Sequence, residues 1–179
     1  CGPIGLFCVG VARAAGARTV VAVEPNTFRM DLAKRMGADL VIDPGAQDPL
    51  SAVMGATGDH GAEVVLEMSG NARAIDQGTR MLSRGGRMAL LGLPEGPVSL
   101  DLNDQVIFKE ARLEGITGRE MFRTWEQTAT FLSSGLVDVA PVITHRFALE
   151  DFAEAFDVMA SGRSGKVLLT PSEGSETSP

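Results

Sequence analysis

Two kinds of apolar pattern alternate along the chain and predict a regular succession of strands and helices. Short apolar runs rich in β-branched residues lack polar alternation, which is typical of parallel strands covered on both faces. Longer stretches repeat apolar residues every three to four positions and predict amphipathic helices. On this basis we expect strands over residues 19–23, 40–42, 62–66, 87–91 and 112–116, with a helix or helical turn between each strand and the next.

The ends of the predicted helices carry residues suited to those positions. Pro3 fits a first helical turn, where its missing N–H costs nothing, and Gly16 supplies a stop. Asn26 or Thr27 is a suitable cap for the second helix, and the glycine pair at 85–86 is expected to stop the fourth. We expect helices over residues 3–15, 27–36, 50–56, 72–82, 103–108 and about 121–132.

Strands alternating with helices at this spacing predict an α/β protein with a Rossmann-type, doubly wound parallel sheet. Five strands are visible, and we expect a further strand before Cys1, at the centre of the usual order 3-2-1-4-5-6. A sheet that lacks its central strand exposes backbone edges. We therefore expect that the slot of the missing strand is filled by residues outside 1–179, or that the sheet is split or distorted.

The pattern changes from residue 141 onward. An extended segment over 142–149, a helix around 152–159 and a strand over 166–170 are expected there. We predict one domain over residues 1–144, a C-terminal segment over 145–171 and a disordered tail over 172–179, which has too few apolar residues to order itself.

Composition and charge narrow the classes of function. The 179 residues are 44% hydrophobic and carry a formal net charge of −7 without a basic cluster, so we expect neither nucleic acid nor a membrane as partner. No apolar run reaches the ~20 residues of a membrane span, and no signal peptide is visible. Cys1 and Cys8 fall on one predicted helix, which favours free thiols and a cytoplasmic location over a disulfide framework.

The chain opens on a glycine-containing turn, Gly2-Pro3-Ile4-Gly5, at the start of the first predicted helix. Small residues there let a pyrophosphate approach the backbone, and a helix start offers free N–H groups and a positive dipole end. The turn matches the end of a G-x-G-x-x-G fingerprint whose opening would precede Cys1. An ordinary turn before a helix would contain the same residues, so this incomplete motif alone does not distinguish a dinucleotide-binding turn from an ordinary one.

An acid at the end of the next predicted strand strengthens the dinucleotide interpretation. Glu24 follows Ile4 by 20 residues, at the place where the ribose hydroxyls of NAD would lie. A carboxylate there accepts hydrogen bonds from two hydroxyls and repels a 2′-phosphate, which favours NAD over NADP. Arg29 leaves alternatives open, because it could hold a phosphate, stack beside the adenine or pair with Glu24.

Three later strand ends carry further candidate cofactor contacts. Ligands of doubly wound sheets bind at the carboxyl ends of the strands, so these loops would bracket the nicotinamide ribose and ring. Loops that bind no ligand would follow the strands at the same spacing, so this alternative stays open. The candidate residues are Ser69, Leu91, Gly92, Leu93, Ile116 and Thr117.

Catalytic groups do not stand out. The two histidines, His60 and His145, lack the spacing of a metal site, and there is no Ser/His/Asp order or CxxC pair. Hydride transfer needs a group that holds and deprotonates an alcohol. We expect neither catalytic nor metal-binding residues in this segment.

Several segments carry a family resemblance. They are residues 2–5, Glu24 with Arg29, residues 66–70, 91–94, 118–122 with Trp125, 143–147 and 161–167. Together they resemble the cofactor-domain half of the bacterial L-threonine 3-dehydrogenases, a group within the zinc-dependent medium-chain alcohol dehydrogenase family. The likeness runs from Cys1 to about Thr170. The Glu-Met-Ser-Gly and Gly-Arg-Glu-Met-Phe segments point to the threonine enzymes.

The resemblance implies NAD-dependent oxidation of L-threonine to L-2-amino-3-ketobutyrate by hydride transfer, with a catalytic zinc as Lewis acid. It implies that the zinc ligands and proton relay precede Cys1, that residues 145–171 return to the catalytic domain, and that the enzyme is a homotetramer. The positions that it places on NAD are Ile4, Glu24, Arg29, Leu91, Gly92, Leu93, Ile116, Thr117 and, near the pyrophosphate, Lys166.

Other interpretations stay open. The chain could be the NAD-binding portion of another zinc-dependent polyol or alcohol dehydrogenase, such as a sorbitol or butanediol dehydrogenase. It could also be a non-catalytic NAD-binding module, or a structural domain without a ligand.

Overall fold

The computed structural model describes residues 1–171, and the predicted disordered tail at 172–179 lies outside them. The helices are α1 (Pro3–Ala14), α2 (Thr27–Arg35), α3 (Pro49–Ala56), α4 (Ala72–Met81), α5 (Arg123–Ser133) and α6 (Phe152–Ala160), with a π-helical turn at Asn103–Ile107 and 3₁₀ turns at Ala140–Val142 and Leu149–Asp151. The strands are β1 (Val21–Val23), β2 (Leu40–Ile42), β3 (Ala62–Glu67), β4 (Leu82–Leu90), β5 (Arg112–Gly115), β6 (Ile143–Ala148) and β7 (Lys166–Thr170). None of the helices in residues 1–171 combines the length and apolar character needed to cross a membrane.

Within residues 1–171 the strands form three separate parallel sheets. The first pairs β1 with β2, the second has the order β3-β4-β5, and the third pairs β6 with β7. Ala22 lies opposite Val41 in the first sheet, and Met88 lies between Val65 and Leu113 in the second. The parallel pairing and the βα alternation confirm the predicted fold class. The break between β1 and β3 is the split sheet that we expected from the sequence.

Three apolar clusters hold the elements together. The first joins α1, β1 and α2 and includes Leu6, Leu32 and Val142, so the turn before β6 packs against the first βα unit. The second contains Ile42, Val53 and Met81 and joins β2 to α3 and α4. The third contains Ile75, Leu82 and Met88 and packs α4 onto β4. Each fully buried aliphatic side chain of this kind contributes roughly 1.5–3 kcal/mol of transfer free energy.

The first strand is shorter than predicted because a side chain replaces part of its ladder. Strand β1 begins at Val21, whereas the apolar run begins at Thr19. The Val20 amide donates to the Asp39 carboxylate at 2.7 Å, and the Val20 carbonyl accepts from the Asp39 amide at 2.8 Å. Because Val20 makes these two hydrogen bonds with Asp39, its backbone does not take part in a regular pairing with β2.

The end of α4 is also different from the prediction. The helix ends at Met81, and β4 runs through the glycine pair that was expected to stop the helix. Lys109 closes this end, because its ammonium donates to the carbonyls of Thr79, Arg80 and Leu82 at 3.1, 2.5 and 2.8 Å. A lysine far along the chain therefore satisfies carbonyls that a helix end leaves open.

The C-terminal segment contacts the start of α2. The Asn26 side chain donates to the Gly162 carbonyl at 3.0 Å, and the Arg29 Nε donates to the Ser164 carbonyl at 3.4 Å. Ser164 is buried there. The predicted division at residue 144 remains a prediction, and the turn at residues 161–165 borders the first βα unit.

Candidate functional site

The candidate residues follow strands, at the carboxyl ends of two parallel sheets. Glu24 follows β1 on one side of the split. Ser69, Leu91 and Ile116 follow β3, β4 and β5 on the other side. Ligands of doubly wound folds bind at such ends, beside the point where the strand order reverses.

The start of α1 is open to an anionic group. Gly2 precedes the helix with extended backbone angles, and no side chain caps the first turn. Among residues 1–171, no heavy atom other than those of Gly2 and its two chain neighbours lies within 4 Å of the place that a Cβ at Gly2 would occupy. The first N–H groups of a helix lack intrahelical acceptors and carry the positive end of the dipole. The geometry of Gly2, Pro3, Ile4 and Gly5 therefore fits a phosphate.

Gly5 is in a different environment from Gly2. It is buried, and a Cβ there would lie 3.6 Å from the Cβ of Cys1, which is an ordinary contact distance. Ile4, in contrast, leaves half of its side chain exposed. The open surface of the turn is thus formed by Gly2 and Ile4, while Gly5 packs inward.

Glu24 lies beside this turn, as the sequence predicts. Its amide donates to the Ile42 carbonyl at 3.0 Å, which extends the β1–β2 pairing by one bond. The side chain is buried, and one carboxylate oxygen accepts from the Asn26 amide at 2.8 Å. The Cys1 Sγ lies 3.9 Å from the carbonyl oxygen of Val23, the residue before Glu24. The structure therefore brings the acid and the glycine-containing turn together.

Arg29 does not pair with Glu24, so that alternative is wrong. No ion pair joins the two within the described residues. The guanidinium instead contacts the backbone of Ser164.

The loop after β3 is organised by the side chain of Glu67. This carboxylate is buried and accepts from the Ser69 amide at 2.8 Å, from the Ser69 hydroxyl, and from the Gly70 amide at 3.1 Å. The Ser69 hydroxyl oxygen in turn accepts from the Asn71 amide at 3.1 Å. Asn71 then caps α4 by accepting from Arg73 and Ala74.

The loop after β4 is attached to the same glutamate. The amides of Leu91 and Gly92 donate to the Glu67 carbonyl at 3.0 and 3.3 Å. Gly70 adopts φ +71°, and a Cβ on it would overlap the Leu93 backbone. The two loops border a cleft of about 470 Å³, lined by residues 69–72 and 93–97.

The remaining candidates are more exposed. The Leu93 side chain is 91% exposed, and Ile116 is 43% exposed although its amide donates to the Leu90 carbonyl at 2.8 Å. Thr117 is exposed at the end of the same strand. Lys166 is exposed at the start of β7, opposite Ile143. These positions leave apolar and polar groups available to a ligand.

Two side-chain contacts that shape the site were not predicted from the sequence. The Glu67 side chain links the two loops, and the Asn26 side chain fastens residue 162 to the start of α2. A signal for Glu67 was present, because the Ser69 hydroxyl two positions later can donate to its carboxylate. The contact of Asn26 spans 136 positions and has no local signature.

Metal donors do not assemble in residues 1–171. No group of three or more His, Cys, Asp or Glu side chains there has the arrangement of a metal site. His145 contacts the Thr144 hydroxyl at 2.9 Å and stacks on Phe147, so its ring is engaged structurally. The donor set of the described chain therefore does not fit a zinc ion.

Comparison with known proteins supports the family resemblance. The family model for zinc-binding dehydrogenases matches residues 3–134. The L-threonine 3-dehydrogenase of Bacillus subtilis strain 168 is 50% identical over 171 residues, which cover 96% of this chain and 49% of that protein. The chain spans about half the length of the curated relatives it matches.

Solved structures show the same architecture. The 2R,3R-butanediol dehydrogenase of Bacillus subtilis matches with a TM-score of 0.87 and 28% identity over 96% of this chain and 49% of that one. A zinc-binding dehydrogenase from Sinorhizobium meliloti 1021, bound to NADP, matches with a TM-score of 0.84 and 30% identity over 95% of this chain and 50% of that one. The expected Rossmann-type fold is confirmed, and the chain belongs to the zinc-binding dehydrogenase family.

Proposed function

We propose that this chain is the NAD-binding portion of an L-threonine 3-dehydrogenase. The enzyme would oxidise the 3-hydroxyl of L-threonine to L-2-amino-3-ketobutyrate, with zinc held by the rest of the protein. The observation that carries the proposal is that the buried Glu24 carboxylate lies beside the uncapped start of α1, where the Cys1 Sγ contacts the Val23 carbonyl. The 50% identity to the Bacillus subtilis enzyme supports the choice of substrate.

Each part of the site has a role in holding the cofactor. The Gly2–Gly5 turn would bind the pyrophosphate through backbone N–H groups, and Glu24 would accept hydrogen bonds from the adenosine ribose. Arg29 and Lys166 would add positive charge near the adenosine and the pyrophosphate. The loops with Ser69, Leu91, Gly92, Leu93, Ile116 and Thr117 would orient the nicotinamide and exclude water from it.

The bound nicotinamide would supply the hydride acceptor, which no amino-acid side chain provides. The contribution of this chain is to fix the ring against the substrate, since correct orientation lowers the barrier to transfer. Glu24 favours NAD, because its carboxylate would repel the 2′-phosphate of NADP. We also propose a homotetramer for the whole enzyme on the basis of the family resemblance, and a cytoplasmic location on the basis of the free thiols of Cys1 and Cys8.

Turnover assays on the full-length protein test the proposal. With NAD at saturation, L-threonine should give a higher kcat/KM than sorbitol or 2,3-butanediol, and NADP should be a poorer cofactor. A zinc chelator should abolish turnover and leave NAD binding to this half measurable. Faster oxidation of a polyol would contradict the threonine assignment and leave the dehydrogenase assignment intact.

A second function is favoured by the structural match to a butanediol dehydrogenase, at a TM-score of 0.87. The same turnover assay separates a butanediol dehydrogenase from a threonine dehydrogenase, because threonine carries an amino and a carboxylate group that butanediol lacks. A non-catalytic NAD-binding module is the third possibility. It predicts tight NAD binding in calorimetry and no turnover of any alcohol by the full-length protein.

A further inference from the structure

Glu67 carries a buried charge without a cationic partner. Its exposure is 5%, and no ion pair involves it within residues 1–171. The groups that contact the carboxylate are the Ser69 amide, the Ser69 hydroxyl and the Gly70 amide. All of them are neutral donors. The side-chain oxygens of Glu67 therefore act as acceptors in every one of these contacts.

The surrounding packing keeps this carboxylate in one place. A Cβ at Gly92 would lie 2.8 Å from the Glu67 Oε2, so the backbone of the loop after β4 passes directly over it. The Glu67 carbonyl also holds the amides of Leu91 and Gly92. The charge is thus fixed between the two loops and shielded from water by both.

The position of Glu67 relative to the cofactor follows from the split sheet. If the α1 start and Glu24 hold the pyrophosphate and the adenosine ribose beside β1, the nicotinamide extends toward the ends of β3, β4 and β5. Glu67 ends β3, and its side chain supports the loops that carry Ser69 and Leu91. The fixed charge then lies on the nicotinamide side of the site.

We propose that the buried carboxylate of Glu67 makes the site favour the oxidised dinucleotide over the reduced one. The oxidised nicotinamide ring carries a positive charge that the reduced ring lacks. A fixed negative charge in a poorly solvated loop stabilises the cationic ring more than the neutral one. Glu67 is therefore a positioning residue for the two loops and also an electrostatic determinant of cofactor redox preference. The inference rests on the proposed NAD-binding function.

The test compares dissociation constants for NAD⁺ and NADH in the full-length protein and its Glu67→Gln variant. Glutamine keeps the size and one acceptor oxygen but removes the charge. We expect the ratio of the NAD⁺ to the NADH dissociation constant to rise about 3- to 10-fold, the range of a partly screened charge interaction. Affinity for ADP-ribose, which lacks the nicotinamide, should change less than about 2-fold.

Two further variants serve as controls. Glu67→Asp keeps the charge and should keep the ratio within about 2-fold of the original, even where both affinities fall. Glu95→Gln removes an exposed charge that lines the adjoining cleft, and it should leave the ratio unchanged because water screens that position. Fluorescence titration of NADH and calorimetry of NAD⁺ supply the constants.

The possible results separate the inference from the function on which it rests. If the original protein binds neither NAD⁺ nor NADH, the proposed function fails and the inference with it. If Glu67→Gln weakens both forms equally, the function stands and the inference is overturned, because Glu67 is then purely structural. Should that variant not fold, Glu67→Asn and Glu67→Asp replace it, because they match in size and differ in charge; the ratio should be higher in the Asn variant. Equal ratios in the Asn and Asp variants also overturn the inference.

Discussion

The backbone of Gly70 occupies the space that a side chain at position 92 would need. A Cβ at Gly92 would overlap the Gly70 amide nitrogen and lie 2.6 Å from the carbonyl carbon of Ser69. Backbone atoms of a hydrogen-bonded loop cannot move aside cheaply. The loops after β3 and β4 therefore form one unit, in which glycine at position 92 is required by its neighbour.

Replacing Gly92 by alanine should separate the two loops. The added methyl forces the backbone apart and disturbs the Glu67 contacts, at a cost of about 1–3 kcal/mol in the free energy of unfolding. We also expect at least about tenfold weaker NAD binding, because the displaced loop carries Leu91 and Leu93. Urea denaturation and NAD titration of the full-length protein measure the two effects.

Gly96→Ala is the matched control for that substitution. Gly96 lines the same cleft, and no atom lies within 4 Å of the place its Cβ would occupy. Its stability should stay within about 0.5 kcal/mol of the original protein. Equal losses from both substitutions would contradict the steric argument.

Local signals in the sequence were sufficient where an element is specified by its own residues. The structure places β2 and β7 at the predicted bounds, and Asn26 caps α2 as expected. The apolar runs and the capping residue are visible within a few positions. For the same reason the sequence located the strand ends where the candidate residues lie.

Long-range contacts account for most of what the sequence did not predict. The bond from Val20 to Asp39 shortens β1, and Lys109 closes α4 across 27 to 30 positions. Helix α5 follows a predicted amphipathic pattern, yet no residue in it is buried. None of these outcomes has a local signature, because each depends on which distant groups meet.

Glu24→Ala should change the choice between the two dinucleotides. Removing the carboxylate removes the hydrogen-bond acceptor for the adenosine ribose and the repulsion of a 2′-phosphate. We expect about tenfold weaker NAD binding and a narrower preference over NADP in kcat/KM measurements on the full-length protein. Glu63→Ala, which removes an exposed acid from β3, should leave the preference unchanged. An unaltered ratio in the Glu24 variant would remove the basis for the ribose assignment.

Asp39 should make the stability of the first βα unit depend on acid pH. The Val20 amide and the Arg13 guanidinium lower the pKa of the Asp39 carboxyl below its ordinary value. A lowered folded-state pKa adds stability above the unfolded-state pKa, and that stability is lost as pH falls through the folded-state value. Asp39→Asn should therefore lower the melting temperature at pH 7, with a smaller difference from the original protein near pH 3.

The control for this pH dependence is Asp31→Asn. Asp31 forms an exposed pair with Lys34 on the surface of α2, which water screens. Its substitution should leave the melting temperature nearly unchanged at both pH values. A pH-independent loss in the Asp39 variant would show that the carboxylate acts by shape and not by charge.

Lys109→Met should destabilise the junction of α4 and β4 while leaving the cofactor site intact. Methionine keeps the apolar stem but leaves the carbonyls of Thr79, Arg80 and Leu82 without the donor that now joins them. Loss of charged hydrogen bonds at a partly exposed site should cost about 1–2 kcal/mol of unfolding free energy.

The matched control is Lys34→Met, which removes an exposed lysine of α2 and should cost less than about 0.5 kcal/mol. Because Lys109 borders a cleft with Arg84 and Phe108, separate from the cleft lined by Ser69 and Leu93, NAD affinity should not change. A stable Lys109→Met protein would show that water replaces the ammonium at these carbonyls, and a loss of NAD affinity would show that the end of α4 is coupled to the loop at its beginning.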